Sequence, residues 1–147
     1  MGLKSFCSTQ RVYWEDTDAG GVVYYANYLK FLERARTEWL RAQGFSQHAL
    51  ARDPGILFAV TDVEVSYQRP ARLDDELLVT CELARAGAAS LSFRQHIYRR
   101  AASAAAEVGD LLTTAQVRVA CVDAQTLRPQ RLPDVLQDLL TKHEERA

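Results

Sequence analysis

Cysteine, histidine and proline are scarce in this chain, and no long apolar run occurs. The 147 residues include three cysteines, three histidines and four prolines. Cys7, Cys81 and Cys121 are odd in number and widely spaced, which argues against a disulfide framework and for buried thiols in a reducing compartment. His48, His96 and His143 share no ligand spacing, so no metal site is expected. No Gly-x-Ser-x-Gly element supports a serine hydrolase. The N-terminus lacks the apolar region of a signal peptide, and no stretch approaches the length of a membrane span. Met1-Gly2 opens like a myristoylation signal, but Phe6 stands where that signal needs Ser or Thr. A net charge of -1 gives no case for nucleic acid or an anionic membrane as the main partner. These absences predict a cytoplasmic protein.

What is present suits an ordinary globular domain: 48% apolar and 25% charged residues, long enough for a real core, read as one domain over 1–147. Phe6 to Trp14 reads as a short edge or entry strand. A helix of about 18 residues is expected from near Val23 or Tyr25 to Gln43, with Tyr25, Tyr28, Leu29, Leu32, Ala35, Arg36 and Trp39 on its apolar side. Arg36 is the one charge near that stripe, expected to snorkel or to pair with a carboxylate. Gly44 is placed to stop the helix, and Ser46 to cap a short turn through Arg52.

From Ile56 the pattern changes to strands. Ile56 to Val60 is almost wholly apolar, as in a strand buried on both faces, and alternation follows to Gln68. Leu77 to Leu83, Leu91 to Tyr98 and Leu111 to Val122 also alternate, and Cys81 and Cys121 fall on the apolar series as core residues. Ala101 to Gly109 is expected to be a loose hairpin connection. A short last helix has Pro133 near its first position and Asp134 in its first turn. Strands in succession with short turns mean antiparallel pairing, so the fold class is α+β, one long helix covering one face of a five-stranded sheet.

The densest chemistry lies in Trp14-Glu15-Asp16-Thr17-Asp18-Ala19-Gly20-Gly21-Val22-Val23-Tyr24-Tyr25-Ala26-Asn27-Tyr28. Acids on a turn that feeds a helix start can bring a carboxylate and free backbone N–H groups to one point. On these residues alone, a hydrophilic loop with a helix-capping acid is the more economical account.

The single-helix layout and the run from Asp16 to Tyr24, followed by Ala26 to Glu33, resemble the 4-hydroxybenzoyl-CoA thioesterase family, which has the hotdog fold. Within it the likeness is greatest to the bacterial acyl-CoA thioesterases associated with the Tol-Pal envelope system. Pro70 to Asp75, the strand start Ala89-Ser90-Leu91, Ala120 to Asp123, Arg128-Pro129 and Arg131-Leu132-Pro133 agree with it. The resemblance implies hydrolysis of an acyl-CoA thioester, or of an acyl-carrier-protein thioester, without metal or bound cofactor. It implies Asp18, the second acid of the D-x-D element, as the catalytic carboxylate. It implies the Tyr25 backbone N–H as the donor that polarises the carbonyl, at a position where the subfamily often has histidine. Gly21 and Val22 are expected to bind substrate, the adjacent Gly20 and Gly21 letting the backbone approach it, and Ser90 would contact substrate across a dimer. A homo-oligomer, dimer or tetramer, is expected because a lone hotdog domain leaves sheet edges open.

The chemistry is compatible with that role. A thioester is already activated, and an ordinary carboxylate is ionised at neutral pH, available as nucleophile or as general base for water. Asp16 reads as a structural partner of the loop, and Asn27 as orienting the site or starting the helix. Arg99, Arg100, Arg128 and Arg131 could meet CoA phosphates, with solvated surface arginines as the default. Two other readings stay open. A hotdog hydratase or dehydratase would need a histidine near the motif, and a non-catalytic acyl-thioester-binding or envelope scaffold would bind without turnover.

Overall fold

The computed structural model describes residues 6–101 and 108–146, the last four by backbone alone. In chain order the elements are β1 (Phe6–Arg11), α1 (Tyr28–Ala42), α2 (Gln47–Arg52), β2 (Ile56–Tyr67), β3 (Glu76–Ala86), β4 (Ser90–Arg100), β5 (Val108–Asp123) and α3 (Asp134–Arg146). Single 3₁₀ turns lie at Trp14–Asp16 and Tyr25–Asn27. The strands form one antiparallel sheet in the order β1-β3-β4-β5-β2. With one long helix packed against it, this is the expected α+β hotdog arrangement.

Alternation decides which face of the sheet meets α1. Leu77, Val79, Cys81 and Leu83 of β3, Leu91, Phe93 and Ile97 of β4, and Ala115, Val117, Val119 and Cys121 of β5 are all buried in one cluster. Phe31, Leu32, Ala35, Trp39 and Leu40 of α1 join it, and so do Leu132 before α3 and Leu136 and Leu140 within it. Trp39 meets Phe93 edge-on with ring centroids 5.3 Å apart, a geometry that suits the aromatic quadrupoles. The opposite sheet face carries exposed polar pairs such as Arg94–Glu82 and Arg118–Asp62, worth little in water.

The ends of α1 follow from its flanks. Gly44 adopts φ 95°, where its N–H donates to the Arg41 carbonyl (2.9 Å) and the Phe45 N–H donates to that of Leu40 (3.1 Å). That is the Schellman pattern, and it satisfies carbonyls that the helix end leaves orphaned. Ser46 then caps α2 as expected, its hydroxyl accepting from the Ala49 N–H at 3.2 Å.

Four expectations change. The α-helix begins at Tyr28, not at Val23 or Tyr25, because a 3₁₀ turn over Tyr25–Asn27 precedes it, and Tyr25 is 63% exposed. Phe31 and Leu40, not Tyr25 and Leu29, complete the buried stripe. The entry strand stops at Arg11 and gives way to the 3₁₀ turn at Trp14. The Ile56–Val60 run is not buried on both faces: β2 is the edge of the sheet, and Val60 is 50% exposed. The expected alanine-rich connection lies mostly outside the described residues, and Val108 and Gly109 belong to β5.

Phe31 is wholly buried at the centre of the α1–sheet contact. Phe31→Ala is expected to cost about 3–5 kcal/mol of stability, read as a lower urea midpoint with an unchanged slope.

Candidate active site

Asp16 is the anchor of the acidic loop. It is buried, its Oδ2 accepts the Tyr13 N–H at 2.8 Å, and its Oδ1 stands 3.8 Å from the Lys30 ammonium. Its carbonyl accepts the Tyr24 N–H (3.1 Å) and the Asn27 side-chain amide (2.8 Å). Asn27 therefore ties the acid loop to the start of α1 and does not cap the helix through its side chain.

Asp18 is different: it is exposed at the head of a tight hairpin. Its N–H donates to the Val22 carbonyl (2.9 Å), its carbonyl accepts the Gly21 N–H (3.0 Å), and Thr17 bridges Val23. Gly21 adopts φ 79°, which glycine reaches without strain. One carboxylate oxygen, Oδ1, accepts the Gly20 N–H at 2.8 Å. For the other, Oδ2, no partner is found among the described residues. The acid is thus held by one oxygen and free at the other.

The chain then turns into α1 through Tyr24 and Tyr25. The first N–H groups of a helical turn have no partner within the turn, and the Tyr25 N–H is one of these. The Tyr25 carbonyl accepts the Tyr67 hydroxyl at 2.9 Å, which ties the helix start to the edge strand β2. Beside this point a cleft of about 270 Å³ is lined by Val23, Tyr25, Tyr28, Tyr67, Gln68, Arg69 and Pro70. The Tyr28 and Tyr67 phenols of this cleft stay protonated at physiological pH. A hydrogen bond with the Tyr25 hydroxyl raises the Tyr24 pKa above its usual value, and burial raises those of Tyr28 and Tyr67. They serve as hydrogen-bonding groups and not as bases.

A second segment, residues 70–75, holds the hairpin from outside. The Val23 N–H donates to the Ala71 carbonyl at 2.9 Å, Val22 bridges Arg72, and the Ala71 N–H donates to the buried Tyr28 hydroxyl at 3.0 Å. Arg99 clamps both ends of this segment. Its Nε donates to Asp75 (3.0 Å), Nη2 to the Pro70 carbonyl (2.8 Å) and Nη1 to Asp110 (2.9 Å). The same Asp75 oxygen accepts the Arg72 N–H at 2.9 Å.

Asp18, Gly21, Val22, Tyr25 and Asn27 therefore come together on one hairpin and helix start. Ser90 does not join them within the chain. It pairs with Ala120 of β5, whereas Tyr67 pairs with Thr113, and those seven residues of strand separate the two by about 24 Å. Among the arginines considered for phosphates, Arg99 is committed to the clamp and Arg100 pairs with Glu76 at 2.8 Å. Arg128 and Arg131 are exposed. The clamp is what the motif reading missed. Its signal was an arginine on the core-facing series of β4, after Leu91, Phe93, Gln95 and Ile97. Among the described residues no group of three or more His, Cys, Asp or Glu side chains could hold a metal.

The chain belongs to the thioesterase-like superfamily, whose model matches residues 12–140. It is 48% identical over 123 residues to the acyl-CoA thioester hydrolase YbgC of Escherichia coli O6:H1, covering 84% of this chain and 86% of that protein. It is 42% identical over 123 residues to the acyl-CoA thioesterase YbgC of Haemophilus influenzae, covering 84% and 85% of the two chains. A solved structure described as a probable thioesterase from Bartonella henselae superposes with a TM-score of 0.77 at 35% identity, covering 86% of this chain and 98% of that one.

Removing the clamp should loosen the hairpin before the core. In Arg99→Met, amide exchange at Val23 and Ala71 is expected to quicken by at least tenfold relative to Ile97, measured by native-state hydrogen exchange.

Proposed function

We propose that this chain hydrolyses acyl-CoA thioesters to the free acid and CoA. What carries the reading is Asp18, held by one oxygen with the other open, on the hairpin that delivers the unpartnered Tyr25 N–H to the mouth of a tyrosine-lined cleft. The names of the YbgC relatives agree with it. Among the described residues no helix is long and apolar enough to cross a membrane.

In this reading the acyl group enters the cleft and its carbonyl oxygen accepts the Tyr25 N–H. The partial positive charge of the helical turn stabilises the oxyanion as it grows. Asp18 acts in one of two ways. As nucleophile, its free oxygen attacks the carbonyl carbon, the C–S bond breaks, the thiolate leaves and takes a proton, and water hydrolyses the mixed anhydride. As general base, it takes a proton from the water that attacks the carbonyl directly. Gly21 and Val22 line the approach, and Asn27 holds the helix start against the acid loop.

The oligomer follows from β2. An edge strand with exposed Val60, Val63 and Tyr67 and unpaired backbone groups is a surface for a second copy of the chain. Antiparallel pairing there would carry one copy's Ser90 end toward the other's tyrosine cleft, which supports a site built from two subunits.

Release of CoA thiol from a panel of acyl-CoAs tests the activity. Asp18→Asn is expected to lose at least 10²-fold in kcat, while Tyr25→His, which keeps the backbone donor, stays within a few-fold of the parent. Near-parental turnover in Asp18→Asn would remove the mechanism. Tight binding without turnover would favour an acyl-thioester-binding protein instead. Light scattering at micromolar concentration should give at least a dimer, and a strict monomer would contradict the shared site.

A further inference from the structure

The acidic loop is closed by a short segment that grips both of its ends. On the entry side the Val12 N–H donates to the Asp75 carbonyl (2.9 Å), and the Asp74 N–H donates to that of Val12 (3.1 Å). On the exit side the Val23 N–H donates to the Ala71 carbonyl (2.9 Å), and Val22 bridges Arg72. Residues 13–21, with both acids, therefore hang between two legs fixed on residues 71–75. Val12, Val23 and Ala71 are buried, whereas Asp18 is exposed, so the legs are anchored in the core and the tip is not.

Asp75 serves both legs. Its carbonyl holds Val12, and its carboxylate Oδ2 accepts the Arg72 N–H at 2.9 Å, which sets the residue that bridges Val22. Its own N–H donates to the Arg72 carbonyl (3.0 Å), closing a tight turn over residues 72–75. Asp74 takes φ 71° there, a left-handed conformation that costs energy outside glycine and persists where neighbouring bonds enforce it. Arg99 supplies the outer bond: its Nε donates to the same Oδ2 at 3.0 Å, and the two side chains are 27% and 20% exposed. A charge-assisted bond shielded to that degree is less weakened by water than a surface ion pair.

The hydrogen bonds of Asp18 itself, to Val22, Gly21 and Gly20, all lie within the hairpin. They shape the turn and do not place it. Placement comes from two sides: Asn27 ties the Asp16 carbonyl to the start of α1, and Asp75 ties both legs to the strand β3 that it precedes. A carboxylate displaced by about 1 Å from its reacting partner can lose about 10²-fold in rate, so a support this remote can act on turnover.

We propose that Asp75, braced by Arg99, is a positioning residue for Asp18. It touches no reacting atom; it holds the acidic loop so that the free Asp18 oxygen faces the carbonyl polarised by the Tyr25 N–H. The proposal rests on the thioesterase reading and adds to it a residue outside the D-x-D turn. Because Asp75 acts on geometry and not on substrate, its loss should lower kcat and leave KM nearly unchanged.

Release of CoA thiol by Asp75→Ala, Asp75→Asn and Arg99→Lys, each assayed well below its unfolding temperature, tests it. Asp75→Ala is expected to lose at least about tenfold in kcat, with KM within about twofold of the parent. Asp75→Asn keeps an oxygen for the Arg72 N–H but no charge for Arg99, and Arg99→Lys keeps the charge but not the fork; both should fall between. Leu136→Ala, a truncation of a buried α3 residue that takes no part in these bonds, controls for lost stability and should keep kcat within about twofold. Should Asp75→Ala fail to fold, Asp75→Asn and Arg99→Lys decide, with an expected loss of about threefold or more in kcat. A parental kcat in the Asp75 variants, a change confined to KM, or an equal loss in Leu136→Ala would overturn the proposal and leave the thioesterase reading standing. A parent that releases no thiol would remove both.

Discussion

Tyr28 joins the core to the candidate site through one side chain. Its ring is buried, 6.4 Å from that of Phe31 and 5.2 Å from that of Tyr67, and its hydroxyl accepts the Ala71 N–H. The ring belongs to the cluster that seats α1 on the sheet, and burial of that cluster is the largest favourable term in a fold of this kind. The hydroxyl fixes the segment that pairs with Val22 and Val23. Where α1 begins is therefore decided by packing, and the acidic hairpin takes its position from that start.

The two acids show how environment separates identical side chains. Asp16 is spent on its own loop, with both oxygens and its carbonyl engaged, whereas Asp18 keeps one oxygen free in an exposed turn. The first supplies rigidity, and the second, in the proposed function, supplies the reacting carboxylate. A site needs both, because a carboxylate on a mobile loop would sample many useless orientations.

Much of this architecture was legible in the residues because period-two alternation survives in β3, β4 and β5, where one face is buried and the other wet. The acidic hairpin was legible too, since glycine pairs and D-x-D spacing are local signals. The helix start was not: the apolar pattern ran on through Tyr25, and a 3₁₀ turn differs from an α-helix by bonding that no periodicity records. β2 misled for another reason, since a continuous apolar run reads alike in a buried strand and at an edge. Of the polar residues on core-facing series, Arg36 stood out in the sequence, whereas Gln95 and Arg99 passed unmarked. What each one meets depends on contacts 11 to 63 positions away along the chain, which sequence alone does not pair.

The Arg99 clamp has a consequence in time as well as space. The D-x-D turn leaves the ribosome early, yet the residues that hold it in place are Pro70, Asp75, Arg99 and Asp110. A nascent chain carrying only the first half of the sequence has the acids and residues 70–73, but not Asp75, Arg99 or Asp110, which fix that segment. Chains elongate at about 5–20 residues per second, so the hairpin waits several seconds for its supports. Until then the acidic turn lacks the clamp that fixes it, and the hairpin settles among the last features of the fold.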